Sequence, residues 1–176
     1  MNYDHDKPTL FLDVDGVLNF FPRKRGHRRL HCGQLMGYPI TVDVDVINAI
    51  RQIEDGDEIV VVWLTTWRDL ANTVFSPWAG LRTDTPVAER EVGINGDEPA
   101  PGSNPYPHDE KWHKRVVLDE YVRRHLSAST PWVFVDDDAP AFSVDDDRGR
   151  VIVPDECVGL TADDVCGIVK FLKGKL

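Results

Sequence analysis

The sequence predicts an α/β fold, a mainly parallel sheet flanked by helices within a single domain, and three observations predict it. Apolar runs at about 9–14, 58–64 and 132–135, rich in Val, Leu, Phe and Trp, have the composition of buried strands. Each ends in polar residues: Asp13 and Asp15, then Thr65 and Thr66, then Asp136, Asp137 and Asp138. Helical patterns separate the runs, and strands alternating with helices imply βαβ units and parallel pairing. The polar ends then collect along one edge, the usual ligand crevice of an open α/β sheet.

Taken in order, the first strand covers about residues 9–14, and Gly16 marks a turn that leaves Asp13 and Asp15 clustered where it ends. An irregular or hairpin segment follows to about residue 41. Val44, Ile47 and Ile50 recur at helical spacing and predict a helix from about Asp43 to Ile53. Asp55-Gly56-Asp57 is a turn before the strand at 58–64. A helix is expected from near Trp67 to about Phe75. Residues 76–108 are rich in proline and glycine and form a long excursion, of the length at which loops serve as lids. A helix at about 109–126 leads into the strand at 132–135, and Gly149 to Val153 reads as a short further strand. Thr161 is placed to cap a closing helix that runs to about Leu172.

With 176 residues and 41% hydrophobic content, the chain has the size and the core of one domain, 1–176. No apolar stretch approaches membrane-spanning length, and the first residues lack the basic start and apolar core of a signal peptide, so no membrane partner and a cytoplasmic location are expected. Cys32, Cys157 and Cys166 show neither a disulfide framework nor zinc-ligand spacing. The formal charge of −10 argues against a generic nucleic-acid-binding surface. Yet five of the 20 lysines and arginines (Arg23, Lys24, Arg25, Arg28 and Arg29) fall within a basic insert at about 19–40, which holds no acid before residue 40. Such a run is either a solvated loop or a surface for phosphate.

Carboxylates crowded at a strand end are costly unless a cation neutralises them. Lys114, Leu118, Val122 and Leu126 follow an i, i+4 row, which puts Lys114 on the core-facing stripe near its helix start, at the same edge as the strand ends. Lys111, one turn earlier on that row, is the alternative.

Four segments in order, Asp13-Val14-Asp15-Gly16-Val17, Thr65 after its apolar strand, Lys114, and Asp136-Asp137, resemble the four motifs of the haloacid dehalogenase (HAD) superfamily of phosphotransferases. The Asp-Val-Asp-Gly-Val-Leu-Asn and Val-Trp-Leu-Thr-Thr-Trp segments are similar to small HAD domains of bacteria and phages associated with nucleic-acid repair. The resemblance implies a Rossmann-like HAD domain without a large cap. It implies Asp13 as a nucleophile that forms an aspartyl-phosphate, Asp15 as general acid and base, and Thr65 as a donor to a phosphate oxygen, with the Thr66 amide beside it. Between the two threonines the assignment is a choice of neighbours. It implies Mg²⁺ held by Asp13, the main-chain carbonyl of Asp15, Asp136 and Asp137. The expected partner is a phosphorylated substrate, a polynucleotide end such as a 3′-phosphate or a nucleotide, with Arg23, Arg25 and Arg28 as candidate contacts and no obligate protein partner. A small-metabolite phosphatase and a non-catalytic HAD-fold binding module are the competing functions.

Overall fold

The computed structural model describes residues 6–22, 27–89, 110–139 and 147–174, with side chains in the helix at 110–125 described from Lys114 onward. Four parallel strands form the sheet. β1 (Thr9–Leu12) lies between β4 (Val60–Trp63) and β5 (Trp132–Val135), and β6 (Gly149–Ile152) pairs with the far side of β5, giving the order β4-β1-β5-β6. All four residues of β1 and of β5 are buried, as expected for strands covered on both faces.

Side-chain alternation along these strands divides the core in two. Leu10 and Leu12 of β1, with Val61, Trp63, Val133 and Val135, pack on α1 (Val44–Asp55) and α4 (Ala162–Leu172). Phe11, Val62 and Phe134 point to the other face, where α3 (Glu110–His125) contributes Val117, Leu118, Tyr121 and Val122. Tyr121 meets Phe11 edge to face, with 5.2 Å between ring centroids. The helix starts have local causes. The Asp43 carboxylate accepts from the Asp45 amide at the start of α1. At α4 the expected Thr161 cap forms, reciprocated by Asp164, and such a cap is worth about 1 kcal/mol.

Three expectations change in detail. β1 ends at Leu12 rather than 14, because Val17, Leu18 and Asn19 turn their amides back onto the Val14 carbonyl. The segment before α1 is an antiparallel hairpin, β2 (Leu30–Leu35) with β3 (Tyr38–Asp43), outside the main sheet. The helix expected from Trp67 begins as a turn. It continues as one π-helical stretch, Ala71–Phe75, and then runs on into α2 (Ser76–Ala79), so 76–79 is helical rather than irregular. Gly80 closes α2 in the left-handed region at φ 75°. Beyond it, Val87 bridges to Trp63 at the edge of β4. The suggestion that 76–108 acts as a lid falls mainly on 90–108, outside the described residues. No described helix is long and apolar enough to cross a membrane.

Candidate active site

The site begins as a consequence of strand register. Leu12 is the Cα partner of Val135, so Asp13 and Asp136 follow as the next residues of two adjacent strands. Adjacent strands lie about 4.8 Å apart. The Asp13 amide donates to the Val135 carbonyl (3.0 Å) and the Asp136 amide to that of Ile152 (3.1 Å), which extends the ladder past the formal strand ends. Asp13 and Asp136 are both buried, at 4% and 1% exposure, and Asp137 is half-buried beside them. Carboxylate oxygens from the three lie within 4.8 Å of one another.

Lys114 enters this cluster from the start of α3. Its Nζ is 2.5 Å from Asp13 Oδ2 and 2.5 Å from Asp136 Oδ2. The helical row on which it lies faces the core, since Leu118 and Val122 below it are buried. Of the two candidate lysines, Lys114 makes the bridge, and the side chain of Lys111 lies outside the described residues.

One ammonium against three carboxylates leaves excess negative charge in a water-poor place. Burial pushes the Asp13 carboxyl up to about 6; Lys114 opposes this and Asp136 adds to it, while hydrogen bonds from Lys114 and Thr65 hold it down. Burial also raises Asp137, helped by Asp136 and Asp138. Burial alone would pull the Lys114 ammonium down, but Asp13 and Asp136 outweigh it and hold it above its ordinary value. Hard oxygen donors with uncompensated charge suit a divalent cation such as Mg²⁺. The backbone is also shaped around the cluster. Gly16 adopts φ 70°, and a Cβ there would fall 2.0 Å from Asp137 Cγ, so only glycine lets the loop after Asp13 pass this carboxylate. Asp138, the third aspartate in the run, is exposed, and its amide donates to Asp136 Oδ1 (2.9 Å).

Asp15 stands apart from the three. Its Oδ1 accepts from Asn19 Nδ2 (2.7 Å) and its Oδ2 from the indole Nε1 of Trp67 (2.8 Å). Both donors are neutral, and the carboxylate borders an open cleft rather than the charged cluster. Its side chain is therefore not one of the grouped carboxylates, so any part of Asp15 in cation binding falls to its main-chain carbonyl. Asn19 also accepts from the Thr41 amide (2.9 Å), tying Asp15 to the hairpin. The sequence left Trp67 open between lining the pocket and packing in the core, and assigned Asn19 no role. A side-chain donor four residues after an aspartate in a tight turn was the available signal for Asn19, and nothing in the sequence aimed the Trp67 indole.

Thr65 is buried at the end of β4 beside Asp13, whose carboxyl its hydroxyl helps to hold down, and accepts from the Trp67 amide (3.3 Å). Thr66 is exposed and lines the cleft beside Asp15. Arg28 does not join the site. Its guanidinium is held by Asp43 Oδ2 (2.5 Å), by the carbonyls of Val158 and Leu160, and over the Phe20 ring at 4.4 Å. It fastens the hairpin root to the segment before α4, and its donors are occupied there rather than offered to a substrate. Arg29 pairs with Asp45. Arg23 and Arg25 lie outside the described residues.

The model of one protein family, the HAD domain in Swiss Army Knife RNA repair proteins, matches residues 9–165. That span covers all the residues grouped above and most of the chain, and the chain belongs to this family. No curated protein and no solved structure matches it.

Proposed function

We propose that this HAD domain is a Mg²⁺-dependent phosphomonoesterase that removes a terminal phosphate, such as a 3′-phosphate, from a nucleic-acid end. The observation that carries the reading is the Lys114 ammonium set between Asp13 and Asp136, with Asp137 beside them. A phosphate ester repels a carboxylate nucleophile, so catalysis demands fixed positive charge at the point of attack. Mg²⁺, held by Asp13, Asp136, Asp137 and the main-chain carbonyl of Asp15, would supply the remaining positive charge against the phosphoryl oxygens.

An oxygen of Asp13 attacks phosphorus while the ester bond breaks, leaving an aspartyl-phosphate. The Val14 amide donates to Asp13 Oδ1 (2.7 Å) and fixes the orientation of that carboxylate. Asp15 gives its proton to the departing oxygen, then takes one from the water that attacks the phosphoryl group and releases inorganic phosphate. Lys114 holds the Asp13 carboxylate in place and faces the transferred group, and Thr65 donates its hydroxyl to a phosphoryl oxygen.

The test is phosphate release, with Mg²⁺ or with EDTA, across an aryl phosphate, mononucleotides, 3′- and 5′-phosphorylated oligonucleotides and a phosphopeptide. Turnover is expected on oligonucleotide ends, is lost in EDTA, and falls at least about 10⁴-fold in Asp13→Asn. Equal turnover by Asp13→Asn and the parent would sink the mechanism. Preference for mononucleotides or other small esters would instead make this a metabolite phosphatase.

A further inference from the structure

Beside Asp15 opens a cleft of about 350 Å³, within the size range of small-molecule sites. Phe21, Met36, Tyr38, Trp67 and Leu70 provide most of its wall, with the Asp15 carboxylate at one side. Three of these are unusually bare for their type: Phe21 is 52% exposed, Met36 60% and Tyr38 69%. Their exposure leaves a contiguous apolar surface open where the chemistry would occur, and such surfaces mark binding sites.

The cleft is tied to the catalytic groups through its own walls. Trp67 forms one side and donates its indole N–H to Asp15 Oδ2. Asn19, also part of the lining, joins Asp15 Oδ1 to the Thr41 amide of β3, the strand that carries Tyr38. The hairpin turn gives an independent sign. Met36 and Gly37 make a two-residue connection with φ of 53° and 86°. Both positions of such a turn favour Asn-Gly, and a long thioether side chain held at positive φ is strained. Strain of this kind persists where the surroundings enforce it and collects at ligand clamps. Here it sets a soft, adaptable side chain on the rim of the cleft.

We infer that this cleft is a nucleobase-stacking subsite for the leaving group, with Tyr38 and Met36 on the hairpin and Phe21 as its platform. The inference rests on the reading of Asp15 as the group that protonates the leaving oxygen. Whatever fills the space beside Asp15 is then the part of the substrate that departs. Among the described residues the lining holds no lysine or arginine, and its aromatic and thioether surfaces favour a flat, neutral π-face. The base of the phosphorylated terminal nucleoside has that chemistry and that position. Since every base presents a π-face, the subsite accepts all four with little discrimination.

The test separates binding from turnover. In the Asp13→Asn background with Mg²⁺, a short 5′-labelled RNA carrying a 3′-phosphate is titrated by fluorescence anisotropy. The comparison chain is identical except for an abasic terminal residue. The base-bearing RNA is expected to bind about 5- to 100-fold more tightly. Tyr38→Ala should erase most of that preference, and Tyr38→Phe, which keeps the ring, should retain it. Because Tyr38 is largely exposed, neither substitution disturbs the core. Equal binding of the two RNAs, binding of neither, or the same preference in Tyr38→Ala as in Tyr38→Phe would overturn the inference. Turnover is then measured with Asp13 intact. Base-dependent binding without any turnover would break the phosphatase reading and leave the subsite standing. Turnover that is indifferent to the terminal base would remove the subsite and leave the phosphatase.

Discussion

Asp13 and Asp15 are two residues apart and occupy opposite kinds of surroundings. Asp13 is buried among charges, with Lys114 and Asp136 against it and its carboxyl pushed up to about 6 by burial. Asp15 is half-buried, receives hydrogen bonds, among the described residues, from the uncharged Asn19 and Trp67, and borders an open apolar cleft. β1 ends before either carboxylate: the Asp13 amide still extends the ladder onto Val135, whereas after Val14 the chain folds back, with the Val17, Leu18 and Asn19 amides on the Val14 carbonyl. Two carboxylates placed in unlike environments can take unlike roles, which one shared environment would not allow. The charged side suits a nucleophile and its cation, and the neutral side suits a proton donor beside a leaving group.

The division can be broken from either side. Asp15→Asn should lower turnover by about 10²- to 10⁴-fold on alkyl esters, whose leaving oxygen needs a proton, and far less on an aryl phosphate. Equal losses on both classes in steady-state assays would mean that Asp15 does not serve the leaving group. Lys114→Met acts on the other side. Turnover should drop about 10²- to 10³-fold, and the metal-free protein should lose about 3–5 kcal/mol of stability in urea titrations, because two buried carboxylates then face each other unpaired. Mg²⁺ should restore part of that stability, and unchanged urea midpoints with and without it would argue that the cluster binds no cation.

Trp67→Phe is a sharper cut. It removes the donor to Asp15 Oδ2 and leaves the ring, so kcat on alkyl esters should fall about tenfold while the Mg²⁺ concentration for half-maximal activity stays put. A shift in the Mg²⁺ requirement would show that the two sides are not separate.

The smallest effect lies away from the site, at Glu54. This carboxylate is buried and accepts from the Arg82 amide (3.1 Å) and the Thr85 hydroxyl (3.1 Å), which anchors the chain that follows α2. Burial raises its pKa above the ordinary value, against those hydrogen bonds and Arg82. A raised carboxyl favours the fold in its protonated form, so its contribution is present below the unfolded value of about 4.5 and is lost as pH rises through the folded value. Glu54→Gln can keep both contacts without the charge. Its stability relative to the parent should be greatest near neutral pH and should shrink on acidification toward pH 4.5. A difference in urea midpoint that does not change with pH would show that burial is not what raises Glu54.

The sequence carried the architecture well because the central strands are continuous apolar runs whose ends are polar, a pattern that needs no tertiary information. Lys114 was partly legible in the same way, since helical spacing set it over Leu118 and Val122 at the start of α3 but left Lys111 on the same row, and the motif order favoured Lys114. The roles inside the loops were less visible. Arg28 sits in a basic run that reads as a phosphate surface, yet it closes on Asp43 and on carbonyls more than a hundred residues away, partners that no local pattern announces. The bond from Trp67 to Asp15 depends on a turn ahead of the π-helical stretch, where a helix was expected to start. The hairpin could have been sharpened, because Met36-Gly37 lies midway between two runs of strand length. A methionine in place of asparagine hid the turn.

The pairing of Leu12 with Val135 has one more consequence. Asp13, the proposed nucleophile, and Asp136 lie far apart in the sequence, and the β1–β5 ladder sets them side by side. Under the proposed mechanism, a refolding chain is expected to stay silent until β1 and β5 have paired to their final rung, and to regain activity with that event.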